Sequence, residues 1–125
     1  MNLEVIYEDN HLIAVNKPAG LVVQDNEHGL ASLEHHVKSY IKEKYNKPGA
    51  VFLGCIHRLD TNVTGIVLFA RTSKALTRMN DQFKHRLIKK TYAALIRRKP
   101  QPMAGTLEHW LKKDPKQNKT KLYHE

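Results

Sequence analysis

The apolar residues of this chain come in short runs. The two longest, residues 51–56 and 65–70, span six residues each. Runs of this length make strands, and none approaches the roughly 20 apolar residues of a membrane-spanning helix. Residues 3–7 and 12–16 read as β-strands, with Glu8-Asp9-Asn10-His11 as the hairpin turn between them. Lys17-Pro18-Ala19-Gly20 breaks the chain, and residues 21–23 resume an extended run. Residues 51–56, 65–70 and 91–96 read as further extended segments, and 105–111 with 119–123 as a second hairpin around Lys113-Asp114-Pro115-Lys116-Gln117-Asn118.

Only two stretches carry helical spacing. After Ser32, a candidate cap, Leu33, Val37, Tyr40, Ile41 and the stem of Lys44 recur at three- and four-residue intervals until Asn46-Lys47-Pro48-Gly49 ends the pattern. After Ser73, a second candidate cap, Leu76, Met79, Phe83 and Leu87 form an apolar stripe opposite Lys74, Arg78, Lys84 and Arg86. Many short strands and two helices joined by tight turns predict an α+β domain: a mainly antiparallel mixed sheet with two flanking helices.

Charge narrows the partners. The chain of 125 residues holds 21 Lys and Arg against 12 Asp and Glu, a net charge of +9. Such an excess attracts polyanions, and nucleic acid is the commonest of them. Cys55, the single cysteine, excludes an intramolecular disulfide and agrees with a reducing cytoplasm; within its apolar run it reads as a small core residue. The N-terminal residues are acidic and lack a basic region followed by a long apolar one, so no signal peptide is expected from them. His35 and His36 are neighbours on a helix and cannot share one ion well, and no Cys/His spacing fits zinc, so no metal is expected. No Gly-rich phosphate loop appears, so no nucleotide cofactor is expected either.

The local feature that most suggests chemistry is His57-Arg58-Leu59-Asp60. Three ionisable side chains stand between two apolar runs, where Gly, Asn or Ser would make an ordinary turn. An aspartate beside an arginine stays ionised and can serve as nucleophile or base. The plainer reading is a salt bridge at a strand end. A hydrolase using Asp60 and His57 would need a second positioned acid or a metal.

His57-Arg58-Leu59-Asp60, followed by Thr64-Gly65-Ile66-Val67-Leu68-Phe69-Ala70-Arg71-Thr72, resembles the signature of the RluA-type pseudouridine synthases. The stretch from Tyr7 through Asn16-Lys17-Pro18-Ala19-Gly20 resembles that family's opening hairpin and Asn-Lys-Pro turn. Lys89-Lys90-Thr91-Tyr92-Ala93-Ala94-Leu95 resembles its tyrosine motif, and Gly105-Thr106-Leu107 through Lys113-Asp114 the hairpin that follows. The order matches across nearly the whole chain.

The resemblance implies a cofactor-free isomerase converting uridine to pseudouridine in ribosomal or transfer RNA. In it Asp60 is the catalytic aspartate, and Tyr92 packs on the target base. Arg58 fills the space left by the flipped nucleotide, since chemistry on a stacked base requires extrusion. The residue-level alternatives are a core tyrosine for Tyr92 and a structural partner of Asp60 for Arg58. His57 is grouped with Arg58 in the base-flipping loop, where it shapes the loop rather than transferring protons. Lys17, Arg71, Lys89 and Lys90 are candidate RNA contacts, with sheet capping as the alternative for Lys17. The family's later Gly-Arg and His-Gln-Ile-Arg motif has no counterpart after Leu122. Residues 1–125 are therefore expected to be the N-terminal portion of a pseudouridine synthase catalytic domain, with self-association through an exposed sheet edge. The alternative function is a catalytically inactive RNA-binding module of the same fold.

Overall fold

Short apolar runs build the first sheet. Strands β1 (Glu4–Glu8) and β2 (Leu12–Lys17) form the expected hairpin, with Val5 opposite Val15 and Glu8 opposite Ile13, and a bulge between Val5 and Tyr7. β2 pairs along its whole length with β4 (Gly65–Ala70), placing Ile13 opposite Phe69, Val15 opposite Val67 and Lys17 opposite Gly65. β3 (Gly54–Cys55) adds two pairs on the far side of β4, giving the order β1-β2-β4-β3 with every described pairing antiparallel. The coordinates, a computed structural model, describe residues 1–25 and 31–123.

The chain divides into two units, residues 1–90 and 91–125. In the first, Ile13, Val15, Val67 and Phe69 share one sheet face and pack with Leu33, Val37 and Ile41 of helix α1 (Leu33–Lys44). Val23 and Leu53 complete this core. Helix α2 (Ser73–Lys84) lies over the other face, where a Cβ added at Gly54 would stand 2.9 Å from the Leu76 methyls. In the second unit β5 (Trp110–Asp114) and β6 (Lys119–Tyr123) form an antiparallel hairpin, Trp110 opposite Tyr123.

Several sequence expectations are corrected. Residues 21–23 are not a strand, because the Val22 and Val23 carbonyls accept the first N–H groups of α1, from Leu33 (2.8 Å) and Glu34 (2.9 Å). The strand expected over 51–56 shrinks to two residues, and 91–96 is exposed chain outside any ladder. The second hairpin begins at Trp110, not at residue 105. Ser32 does cap α1, accepting from the His35 N–H at 3.1 Å, but α2 is capped by Thr72 rather than Ser73. α2 also stops short of Leu87: Arg86 adopts φ 55°, and Leu87 is 70% exposed.

Candidate active site

The His57–Asp60 segment leaves the sheet where β3 ends and returns at Gly65, whose φ of 141° turns the chain into β4. Within it the Val63 N–H donates to the Asp60 carbonyl at 3.0 Å, closing a four-residue turn that begins at Asp60. The turn is tied down from below. The Thr61 carbonyl accepts both the Gly20 N–H, at 2.7 Å, and the Lys17 ammonium, at 2.8 Å. Lys17 Nζ also donates to the Leu21 carbonyl at 2.7 Å and the Pro18 carbonyl at 2.9 Å. One ammonium therefore joins the Lys17–Leu21 turn to the Asp60 turn.

Lys17 is buried because alternation puts it on the same face as Ile13 and Val15. Burial pushes its ammonium below the ordinary lysine range, and the negative charge of Asp60 pulls it part of the way back. As a candidate RNA contact Lys17 is thus corrected: it is wholly buried, and its three donors are taken by carbonyls.

Asp60 and Arg58 are exposed and line a cavity of about 560 Å³ with Leu59, Thr61 and the segment from Val22 to Asp25. Among the described residues neither Arg58 nor Asp60 enters an ion pair, so the salt bridge considered for them is not formed. A carboxylate and a guanidinium that line one cavity can meet a polar, anionic substrate. Asp25 is a second carboxylate there. It accepts the Ser32 hydroxyl at 2.5 Å, and that bond holds its carboxyl below the usual carboxylate range. Sequence reasoning missed Asp25; the only available signal was its place after an apolar run and before a capping serine.

The remaining candidates lie elsewhere. His57 stands apart from the residues that line the cavity. It is half-buried, accepts the Leu68 N–H on Nε2 at 3.0 Å, and stacks on Phe83 at 5.2 Å. Arg71 is corrected as an RNA contact too. Its guanidinium donates to the Asp9 carbonyl at 2.5 Å, pairs with Glu8 at 3.7 Å and lies over the Tyr45 ring, leaving its side chain 10% exposed. Burial alone would raise the Glu8 carboxyl, yet the Tyr45 and Tyr40 hydroxyls and the Lys44 ammonium bring it below its ordinary value. Lys89 and Lys90 are exposed after α2, and Lys90 Nζ sits 5.9 Å from the Phe83 ring centre. Tyr92 is exposed in the second unit. Among the described residues no three His, Cys, Asp or Glu side chains converge to hold a metal ion, and no helix is long and apolar enough to cross a membrane.

Residues 11–125 match the family model described as RNA pseudouridylate synthase. The chain belongs to this family. It is 40% identical over 96 residues to the ribosomal large subunit pseudouridine synthase C of Rickettsia bellii, covering 77% of this chain and 30% of that protein. It is 34% identical over 97 residues to the tRNA pseudouridine synthase C of Pasteurella multocida, covering 78% and 38%. Among solved structures, human RNA pseudouridylate synthase domain containing 4 superposes with a TM-score of 0.57 at 24% identity, over 67% of this chain and 30% of that one, and supports the fold. The pseudouridylate synthase chain thus spans about a third of the length of the curated relatives it matches. The α+β architecture and the family expected from the motifs both stand.

Proposed function

We propose that the protein carrying this chain isomerises uridine to pseudouridine in ribosomal or transfer RNA, with Asp60 as the catalytic carboxylate. The observation that carries this reading is a carboxylate with no ion-pair partner among the described residues, at the start of a doubly anchored turn, beside an Arg58 equally without one, in a cavity they line together. The reaction breaks the bond from the ribose to the base nitrogen and forms one to a ring carbon. The proton on that carbon leaves and the freed nitrogen gains one, so substrate and product are isomers and no co-reactant is consumed. Asp60 assists glycosidic cleavage, and Arg58 occupies the space vacated by the flipped nucleotide. Tyr92 packs on the base. Lys89 and Lys90, exposed and cationic, meet RNA phosphates.

Residues 1–125 form the N-terminal portion of the catalytic domain, and the protein works in the cytoplasm. Relatives named for ribosomal and transfer RNA both support an RNA substrate without choosing between the two. The test is pseudouridine formation by the full-length protein on both RNA classes, with Asp60→Asn beside it. Loss of conversion with RNA affinity retained is the expected result. Retained conversion in Asp60→Asn overturns the assignment. If the unsubstituted protein binds RNA and converts none, the protein is an RNA-binding module.

A further inference from the structure

β3 is two residues long, with Gly54 opposite Ala70 and Cys55 opposite Phe69. Continued by one residue, that register would bring Ile56 opposite Leu68. The chain has left the ladder there, so the outward N–H of Leu68 has no backbone acceptor. His57 Nε2 supplies one at 3.0 Å. An Nε2 that accepts has no proton of its own, so the ring is neutral and carries its hydrogen on Nδ1. The same ring stacks on Phe83 of α2, centres 5.2 Å apart and planes inclined by 22°. On the β3 side, Cys55 Sγ donates to the His57 carbonyl at 3.4 Å. His57 is thus fastened at its backbone, its ring nitrogen and its ring face, three residues before Asp60.

We propose that His57 is a positioning residue whose neutral imidazole, docked on the Leu68 amide and the Phe83 ring, holds the Arg58-Leu59-Asp60 loop against β4 in its working geometry. The inference rests on the reading of Asp60 as the catalytic carboxylate. It makes the loop sensitive to acid, because a protonated ring has no lone pair for Leu68 and would face a donor with a donor. α2 contributes the uncharged Phe83, β4 a backbone amide and β3 the Cys55 thiol, which burial keeps protonated. The charge facing it is the Lys90 ammonium, so burial first and Lys90 second hold the imidazole below its ordinary range. The docked, neutral state is therefore fully populated above the ordinary imidazole value of about 6.5 and is lost as pH falls through the depressed one.

The experiment compares the full-length protein with His57→Gln, which keeps an acceptor at the Nε2 position but cannot titrate, and His57→Phe, which keeps the stack but no acceptor. Pseudouridine formation rate and RNA affinity are measured from neutral to acidic pH. The nitrogen spectrum of the His57 ring and the Leu68 amide signal are followed in the unsubstituted protein. His57→Phe should lose roughly 10- to 100-fold in kcat at neutral pH with RNA affinity unchanged, the size expected for a misplaced catalytic group. His57→Gln should retain most of the rate and lack the acid-side fall. The ring should be the Nδ1–H tautomer at neutral pH, with the Leu68 amide shifting as it protonates. A wild-type rate in His57→Phe, or an acid-side fall that persists in His57→Gln, overturns the proposal. So does an Nε2–H or protonated ring at neutral pH, whether or not the phenylalanine variant folds. If the unsubstituted protein converts no uridine while the spectra show the docked neutral ring, the pseudouridine reading fails and the positioning of the loop stands.

Discussion

The Lys17 ammonium donates to the Thr61 carbonyl at 2.8 Å, across 44 residues of sequence and one residue beyond Asp60. A lysine is rarely buried without a carboxylate partner. Here three carbonyl oxygens replace its water, and the charge of Asp60 nearby offsets part of the burial cost.

Lys17→Met keeps the stem and removes the donor, leaving the Pro18, Leu21 and Thr61 carbonyls short of a partner. Destabilisation of about 2–4 kcal/mol is expected, read by urea unfolding. The rate of pseudouridine formation should fall further than RNA affinity does, because the loss falls on the turn that presents Asp60. A substitution that leaves stability untouched would remove Lys17 from the anchor.

Arg71→Ala separates a structural arginine from an RNA-binding one. Its guanidinium bonds the Asp9 carbonyl and Glu8 and covers the Tyr45 ring. The change should cost about 1–3 kcal/mol of stability through that mostly buried network. The slope of RNA affinity against salt should be unchanged, since no phosphate contact is lost. A shallower slope would return Arg71 to the RNA face.

Much of this was legible in the sequence, because the decisive signals were local. The short apolar runs over residues 12–16 and 65–70 marked two neighbouring strands, and the spacing of Leu33, Val37 and Ile41 marked the helix that covers them. The errors arose where tertiary contacts override local pattern. Residues 21–23 look extended, but their carbonyls are claimed by α1. Lys17 looks like a surface cation until the pairing with β4 places it inside. Arg71 likewise finds Glu8 and Tyr45, distant residues that no spacing rule connects. Motif order pointed to the Asp60 loop, but the anchoring of that loop depends on contacts from residues 17, 20 and 68 that only the fold brings together.

Ser32→Ala tests the wall of the cavity. The buried Ser32 hydroxyl caps α1 through the His35 N–H and donates to Asp25. Its loss should cost about 1–2 kcal/mol at neutral pH. Part of that cost depends on ionised Asp25, whose carboxyl Ser32 holds below its ordinary value. A depressed carboxylate adds stability above the unfolded-chain value, and the contribution disappears as pH falls through the lowered one. The difference between the two proteins in urea should therefore narrow in acid without vanishing, since the helix cap is still missing. A pH-independent difference would mean that the bond to Asp25 contributes nothing.

Gly65→Ala addresses the other end of the loop. Gly65 begins β4 opposite Lys17, with φ at 141°, a conformation that L residues rarely adopt. An added Cβ would stand 3.6 Å from Leu59 Cδ1, an ordinary contact, so the penalty is backbone strain rather than a clash. A loss of about 1–3 kcal/mol is expected in urea. The chain can relieve the strain only by rotating the Gly65 backbone, which draws on the segment between Asp60 and β4 and shifts Leu59 with it. Pseudouridine formation should then slow while RNA binding holds, and Gly65→Ala combined with Lys17→Met should lose less than the sum of the two, because both loosen the same turn. Strict additivity would place Gly65 and Lys17 in independent supports.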